Sequence, residues 1–211
     1  ISPNKELKKG TLLIQDNIII EVDSNLSIPQ NAIIYDLQGD YIYPSFIDLY
    51  SNYGLEKPIK KSSGYTPQYE SNKKGPYNWN QAIHPEIHAS HQFFHNKKTL
   101  EKYQEMGFGS VLTHLDDGIF RGTGCFVVLA NNRENQDVLV NKAATFYSFS
   151  KGSSSQRYPT SLMGSIALIK QTLLDSEWHE KTNENSNISL SEYLSLIHIS
   201  EPTRPLYISY A

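Results

Sequence analysis

The sequence predicts an α/β chain in which a small N-terminal antiparallel β-domain precedes a part where strands and helices share a core. Three observations predict it. Apolar β-branched runs alternate with turn residues over positions 1–43, an apolar strand opens at Phe46 behind a proline, and one long helical pattern lies between Leu162 and Trp178.

Thr11 to Gln15 and Ile18 to Val22 are apolar runs separated by Asp16 and Asn17, two residues that tolerate positive φ, so they form a hairpin with a tight turn. A third run, Ala32 to Leu37, turns at Gln38, Gly39 and Asp40 into Tyr41 to Tyr43 and is expected to extend the same sheet. This sets the domains: residues 1–43, a β-sandwich portion, then residues 44–193. The stretch from Tyr43 to Gly54 organises everything after it. Phe46 to Leu49 is a short apolar strand; Pro44 before it cannot donate to a ladder, and the polar and small residues after it announce a loop.

Residues 55–81 are rich in Lys, Ser, Gly, Pro, Asn and Tyr and follow neither period, so they form a long loop. Its Tyr65, Tyr69, Tyr77 and Trp79 either cover a pocket or, the favoured reading, pack the loop onto the surface. Pro85 suits the first turn of a helix, and His84, His88, His91 and His95 then fall on one helical stripe. That stripe has no carboxylate in register, which favours a mixed polar surface over a metal site. Thr99 is expected to cap a second helix and Gly107 to end it in the left-handed conformation.

Gly109 to His114 reads as a strand and Leu115 to Gly118 as its turn. Arg121 to Gly124 lacks the Lys and Ser/Thr of a P-loop and reads as a hairpin turn into the strand Cys125 to Leu129. Cys125 is expected to be a small core residue rather than a nucleophile. Val138 to Val140 and Ala143 to Phe149 read as two further strands, and Lys151 to Gln156 as a flexible linker. Thr160 or Ser161 then caps the last helix, whose apolar stripe is Leu162, Ile166, Ile169, Leu173 and Leu174.

Several of these segments resemble the amidohydrolase superfamily. Pro44, Phe46 and Asp48 match the Pro-Gly-Phe-Ile-Asp-x-His-x-His motif that opens its first barrel strand, and Asp36 and Gly39 match the turn ahead of it; Ser45 replaces the usual glycine. Met106 to Thr113 is similar to the family's second barrel strand, and Tyr158 to Gly164 is similar to a segment of a bacterial, imidazolonepropionase-like subgroup. The resemblance covers residues 10–178 and implies an incomplete TIM-like (β/α) barrel behind the β-domain. It also implies a hydrolase of carbon–nitrogen bonds other than peptide bonds, acting on a small amide or cyclic amide. In intact relatives a divalent, zinc-type metal lowers the pKa of a bound water, which attacks the amide or imine carbon.

Matched residue by residue, Tyr50 and Asn52 fall on the two histidine positions that hold the metal. A neutral phenol and a neutral amide give up most of the donor strength such a site needs, so these residues alone are expected to bind no zinc. The resemblance therefore carries two readings: a metal-dependent hydrolase, and a catalytically silent amidohydrolase-like domain kept for structure or for docking to a second amidohydrolase domain. Asp48, His114, Asp116 and Asp117 are the candidates for the active-site face. A histidine beside two carboxylates fits a metal site or a proton-transfer pair as well as it fits a capped turn. No catalytic residue is assigned, because the later metal ligands are expected beyond this stretch.

Composition bounds the rest. A net charge of -3 provides no field for nucleic acid, and no apolar run reaches the roughly 20 residues of a spanning helix. Cys125 alone forms no internal disulfide, and the chain opens at Ile1 rather than Met, so compartment stays open between cytoplasm and periplasm. Leu194 to Ala211 resembles the in-frame translation of a sequencing adapter and is expected to be a non-native, irregular tail.

Overall fold

The computed structural model describes residue 7 and residues 9–16, 18–59, 79–130 and 132–182. Tyr65, Tyr69, Tyr77 and the tail from Leu194 lie outside the described residues. The chain divides into two compact units, Ile1–Tyr43 and Pro44–Ala211.

In the first unit β1 (Thr11–Gln15) and β2 (Ile18–Asp23) pair antiparallel, with Leu12 opposite Val22 and a register shift between Leu13 and Ile14. Asp16 takes φ 51°, the left-handed turn that its short polar side chain tolerates. The expected third and fourth strands do not form. Ala32 to Leu37 and Tyr41 to Tyr43 are irregular, and Ile33, Ile34, Tyr35 and Tyr41 are strongly exposed. The turn between them forms all the same: Asp36 Oδ1 accepts from the Gln38 N–H at 2.9 Å, the Asp40 N–H donates to the Leu37 carbonyl at 2.9 Å, and Gln38 and Gly39 both have positive φ. A turn is fixed by bonds among its own residues. Strand propensity is realised only against a neighbouring strand or face.

The second unit holds a four-stranded sheet in the order β3 (Phe46–Ser51), β4 (Phe108–Thr113), β5 (Phe120–Val128) and β6 (Val138–Tyr147). β3 and β4 are parallel, while β4–β5 and β5–β6 are antiparallel. The parallel pair needs a crossover, which α1 (Ala89–Gln92) and α2 (Lys97–Glu105) supply. Asn96 caps α2, its Oδ1 accepting from the Thr99 N–H at 3.1 Å, so the cap lies three residues before the expected one. Gly107, at φ 86°, follows the helix as expected. One core cluster unites Leu100 of α2 with Val111, Cys125 and Val127 of the sheet. Burial raises the Cys125 thiol to about 11, so the sulfur is an inert core atom at neutral pH.

Three local expectations give way to long-range packing. His88 lies on extended backbone and His84 outside any helix, where Ile83 bridges Phe120 and His88 bridges Thr123, and only His91 of the four histidines is inside the short α1. The row is therefore no surface stripe: His84 and His88 are buried, and His88 Nδ1 lies 2.8 Å from Thr123 Oγ1. Arg121 to Gly124 is the middle of β5 instead of a hairpin, and the two runs expected between Val138 and Phe149 are one strand. Residues 151–156 are pinned rather than a free linker: buried Gln156 accepts from the Gln81 N–H at 2.8 Å and donates to the Trp79 carbonyl at 3.0 Å.

The last helix, α4 (Leu162–Thr182), begins where Ser161 Oγ accepts from the Gly164 N–H at 3.1 Å. Its buried face differs from the expected stripe, since Leu162, Ile166 and Leu174 are about half exposed. Ser165, Leu168, Thr172 and Ser176 are buried instead. Their hydroxyls are satisfied by carbonyls of Phe149, Leu168 and Thr172, so polar residues can face the core without cost in lost hydrogen bonds.

Candidate functional site

The candidate site is built where β3 and β4 end and β5 begins. Asp48 Oδ1 accepts from the Tyr50 N–H at 3.0 Å, which fixes the strand just ahead of the family-matched positions. Beyond it Ser51 is buried; its Oγ lies 3.0 Å from Tyr103 Oη and accepts from the Tyr53 N–H at 3.1 Å. Thr113 Oγ1 donates to the Tyr53 carbonyl at 2.7 Å, and the His114 N–H donates to the Ser51 carbonyl at 3.0 Å. These bonds hold the ends of the parallel pair at a fixed register, and His114 follows directly.

Arg121 draws the cluster together. Its Nη1 donates to Tyr50 Oη at 2.7 Å, lies 2.7 Å from Asp116 Oδ1, and lies 3.3 Å from His114 Nε2. Its Nε donates to the Gly118 carbonyl at 3.2 Å, which anchors the guanidinium from behind. Arginine has no acceptor, so all three facing atoms act as acceptors, and His114 is the neutral tautomer with its proton on Nδ1. Two hydrogens on Nη1 serve three acceptors, and the long contact to the imidazole is the shared one. The His114 ring lies flat on Phe146, 3.8 Å between centroids and 5° between planes, with the Tyr50 ring tilted against it at 4.5 Å. Burial first, and then the Arg121 charge, lower the His114 pKa to about 4 against the opposing pull of Asp116, the Ser51 main chain and Asp48.

The sequence candidates thus separate into two groups. Tyr50, His114 and Asp116 converge, with Asp48 close by on β3. Asn52 does not join them: it lies past the end of the strand, exposed, and its carbonyl accepts from the Leu55 N–H at 3.3 Å. Asp117 turns the other way and is buried. It accepts from the Ser153 N–H and Oγ, each at 2.6 Å, and lies 3.9 Å from His84 Nε2, so it ties residues 151–156 to the sheet. Arg121 and Phe146 were not singled out for this site. The only local signal was an arginine next to two glycines in an apolar run, and nothing local says which acceptors it reaches.

Among the described residues, no three His, Cys, Asp or Glu side chains gather closely enough to hold a metal ion. The acceptors that do converge meet on a fixed positive charge. A divalent ion about 3 Å from that guanidinium would meet repulsion on the order of 10 kcal/mol at an effective dielectric of about 20, and the lone pairs it would need already face Nη1. A zinc-type ion therefore does not fit this group of side chains while Arg121 keeps its place.

No family model matches the chain, and none of the curated proteins matches it. Among solved structures, the crystal structure of an amidohydrolase from Thermotoga maritima MSB8 is similar over 89% of this chain and 50% of its own, with a TM-score of 0.69 and 19% sequence identity. The chain spans about half the length of that structure, and over that half it shares an amidohydrolase's fold.

Proposed function

We propose that the chain is part of an amidohydrolase-type hydrolase that cleaves carbon–nitrogen bonds other than peptide bonds in a small amide or cyclic amide. The observation that carries this reading is the fold shared with the Thermotoga amidohydrolase, taken together with Pro44, Phe46 and Asp48 at the opening of β3. Bacterial, imidazolonepropionase-like relatives supply the finer analogy, with a TIM-like barrel behind residues 1–43. The metal-dependent step rests with groups other than Tyr50 and Asn52. Within this chain, Tyr50 and the Arg121–Asp116 pair present a polar rim fit to orient a substrate.

A specific observation favours the second reading as well. The guanidinium at the centre of the cluster suits a catalytically silent amidohydrolase-like domain, with a structural role or a docking role toward a second such domain. One experiment separates these readings. The whole protein, as its organism makes it, is assayed on a panel of small linear and cyclic amides before and after chelation, beside the 211-residue chain with added zinc. The hydrolase reading expects turnover in the whole protein that is lost on chelation and restored by zinc. Turnover indifferent to chelation, or none on any amide, would overturn it. Both readings expect no turnover from the chain alone, so the silent reading is tested in the whole protein, where it expects any turnover to be unchanged by Tyr50→Phe and Asp116→Asn.

A further inference from the structure

We propose that Arg121 is a built-in cation that occupies a latent divalent-metal position, and that its side chain is what keeps zinc out of this group of residues. This rests on the geometry of Arg121 alone; the hydrolase reading is not needed for it. One nitrogen, Nη1, gathers a phenol oxygen, a carboxylate oxygen and an imidazole nitrogen within 3.3 Å. Carboxylate oxygen and imidazole nitrogen are ordinary zinc donors, and here they point at an atom that carries positive charge.

The backbone leaves the arginine little freedom to be elsewhere. Gly122 has φ 76°, and a Cβ there would run into the carbonyls of His84 and Ile87, so the main chain beside Arg121 is fixed by the segment packed along β5. Nε is held by the Gly118 carbonyl, and the Arg121 side chain is 7% exposed. Removing the guanidinium would leave the Asp116 carboxylate and His114 Nε2 as acceptors with one phenol O–H, that of Tyr50, to share between them. A divalent cation answers that arrangement better than water does, because it takes up lone pairs without supplying one. Tyr50→His would add a second imidazole to the set.

The test uses the full chain and reads metal uptake, so its failure is distinguishable from failure of the hydrolase reading. Unmodified protein, Arg121→Ala, Arg121→Ala with Tyr50→His, and Arg121→Lys are equilibrated with zinc or cobalt(II) at neutral pH, and bound metal is counted. The double variant is expected to hold about one equivalent, with the cobalt form showing the visible absorption of a low-coordinate site. Arg121→Ala alone should bind more weakly but measurably. Unmodified protein and Arg121→Lys, which keeps a cation in place, should bind none. Stoichiometric zinc in the unmodified protein overturns the proposal, and so does uptake by Arg121→Lys equal to that of Arg121→Ala. If Arg121→Ala is unfolded without metal, zinc should refold it, as read by circular dichroism. Failure to refold, or a folded double variant that takes up no metal, counts against the proposal in the same way.

Discussion

His114 shows how one residue's environment becomes a property of the whole chain. Its ring is buried against Phe146 and faces the Arg121 guanidinium, and these two effects together lower its pKa from 6.5 to about 4. At pH above 6.5 the ring is neutral in both the folded and the unfolded chain, and the shift has no effect on stability. Between 6.5 and about 4 the unfolded chain takes up a proton that the folded one refuses, so stability falls as pH falls, and the loss is complete below about 4. A displacement of that size corresponds to a loss on the order of 3 kcal/mol. Urea unfolding of the chain near pH 7 and near pH 4, beside His114→Gln, is the measurement. The variant is expected to lose markedly less stability on acidification. Equal losses in both proteins would mean that the ring is not held neutral by its surroundings.

At the scale of elements, β5 depends on a segment that lies far from it in sequence. The stretch around Ile83 to His88 runs beside β5, and Gly122 lies against it with positive φ and no room for a Cβ. Gly122→Ala therefore combines a left-handed backbone cost of about 1–2 kcal/mol with a steric clash against main-chain carbonyls. A loss of at least about 2 kcal/mol is expected from denaturant unfolding, and a variant within about 0.5 kcal/mol of the parent would show that the segment yields easily.

The same packing explains what could be read from the sequence. The β1–β2 hairpin, β3, β4, the Gly107 helix end and the Ser161 cap are local matters of turn residues, apolar runs and capping hydroxyls, and each was legible. The histidine row, the Arg121 run and residues 151–156 were misread because their conformations are set by partners tens of residues away, such as Phe120 for Ile83 and Gln81 for Gln156. The site was legible only in part. Tyr50, His114 and Asp116 could be placed at strand ends, but the arginine that unites them could not, since its role depends on strand pairing. α4 adds the reverse case: its apolar residues were identified, yet Leu162, Ile166 and Trp178 stay about half exposed while hydroxyl residues face inward.

For the whole molecule, the distribution of buried surface decides how stability is shared. Every described buried residue belongs to the second unit, and among the described residues of the first unit none is buried. β3 is apolar at Phe46, Ile47, Leu49 and Tyr50, yet all four are more than half exposed, although strands of parallel sheets are normally covered on both faces. A two-stranded hairpin with no buried residue is marginal by itself, whereas β4 and β5 run through the core around Val111, Cys125 and Val127. Hydrogen exchange should therefore be strongly graded. Amides of β1 and β2 are expected to exchange through low-energy local opening, and those paired between β4 and β5 only on global unfolding. Protection of the hairpin amides as long as those of Val111 and Val127 would show that the first unit draws its stability from a source beyond its own strands, and would undo the division argued from burial.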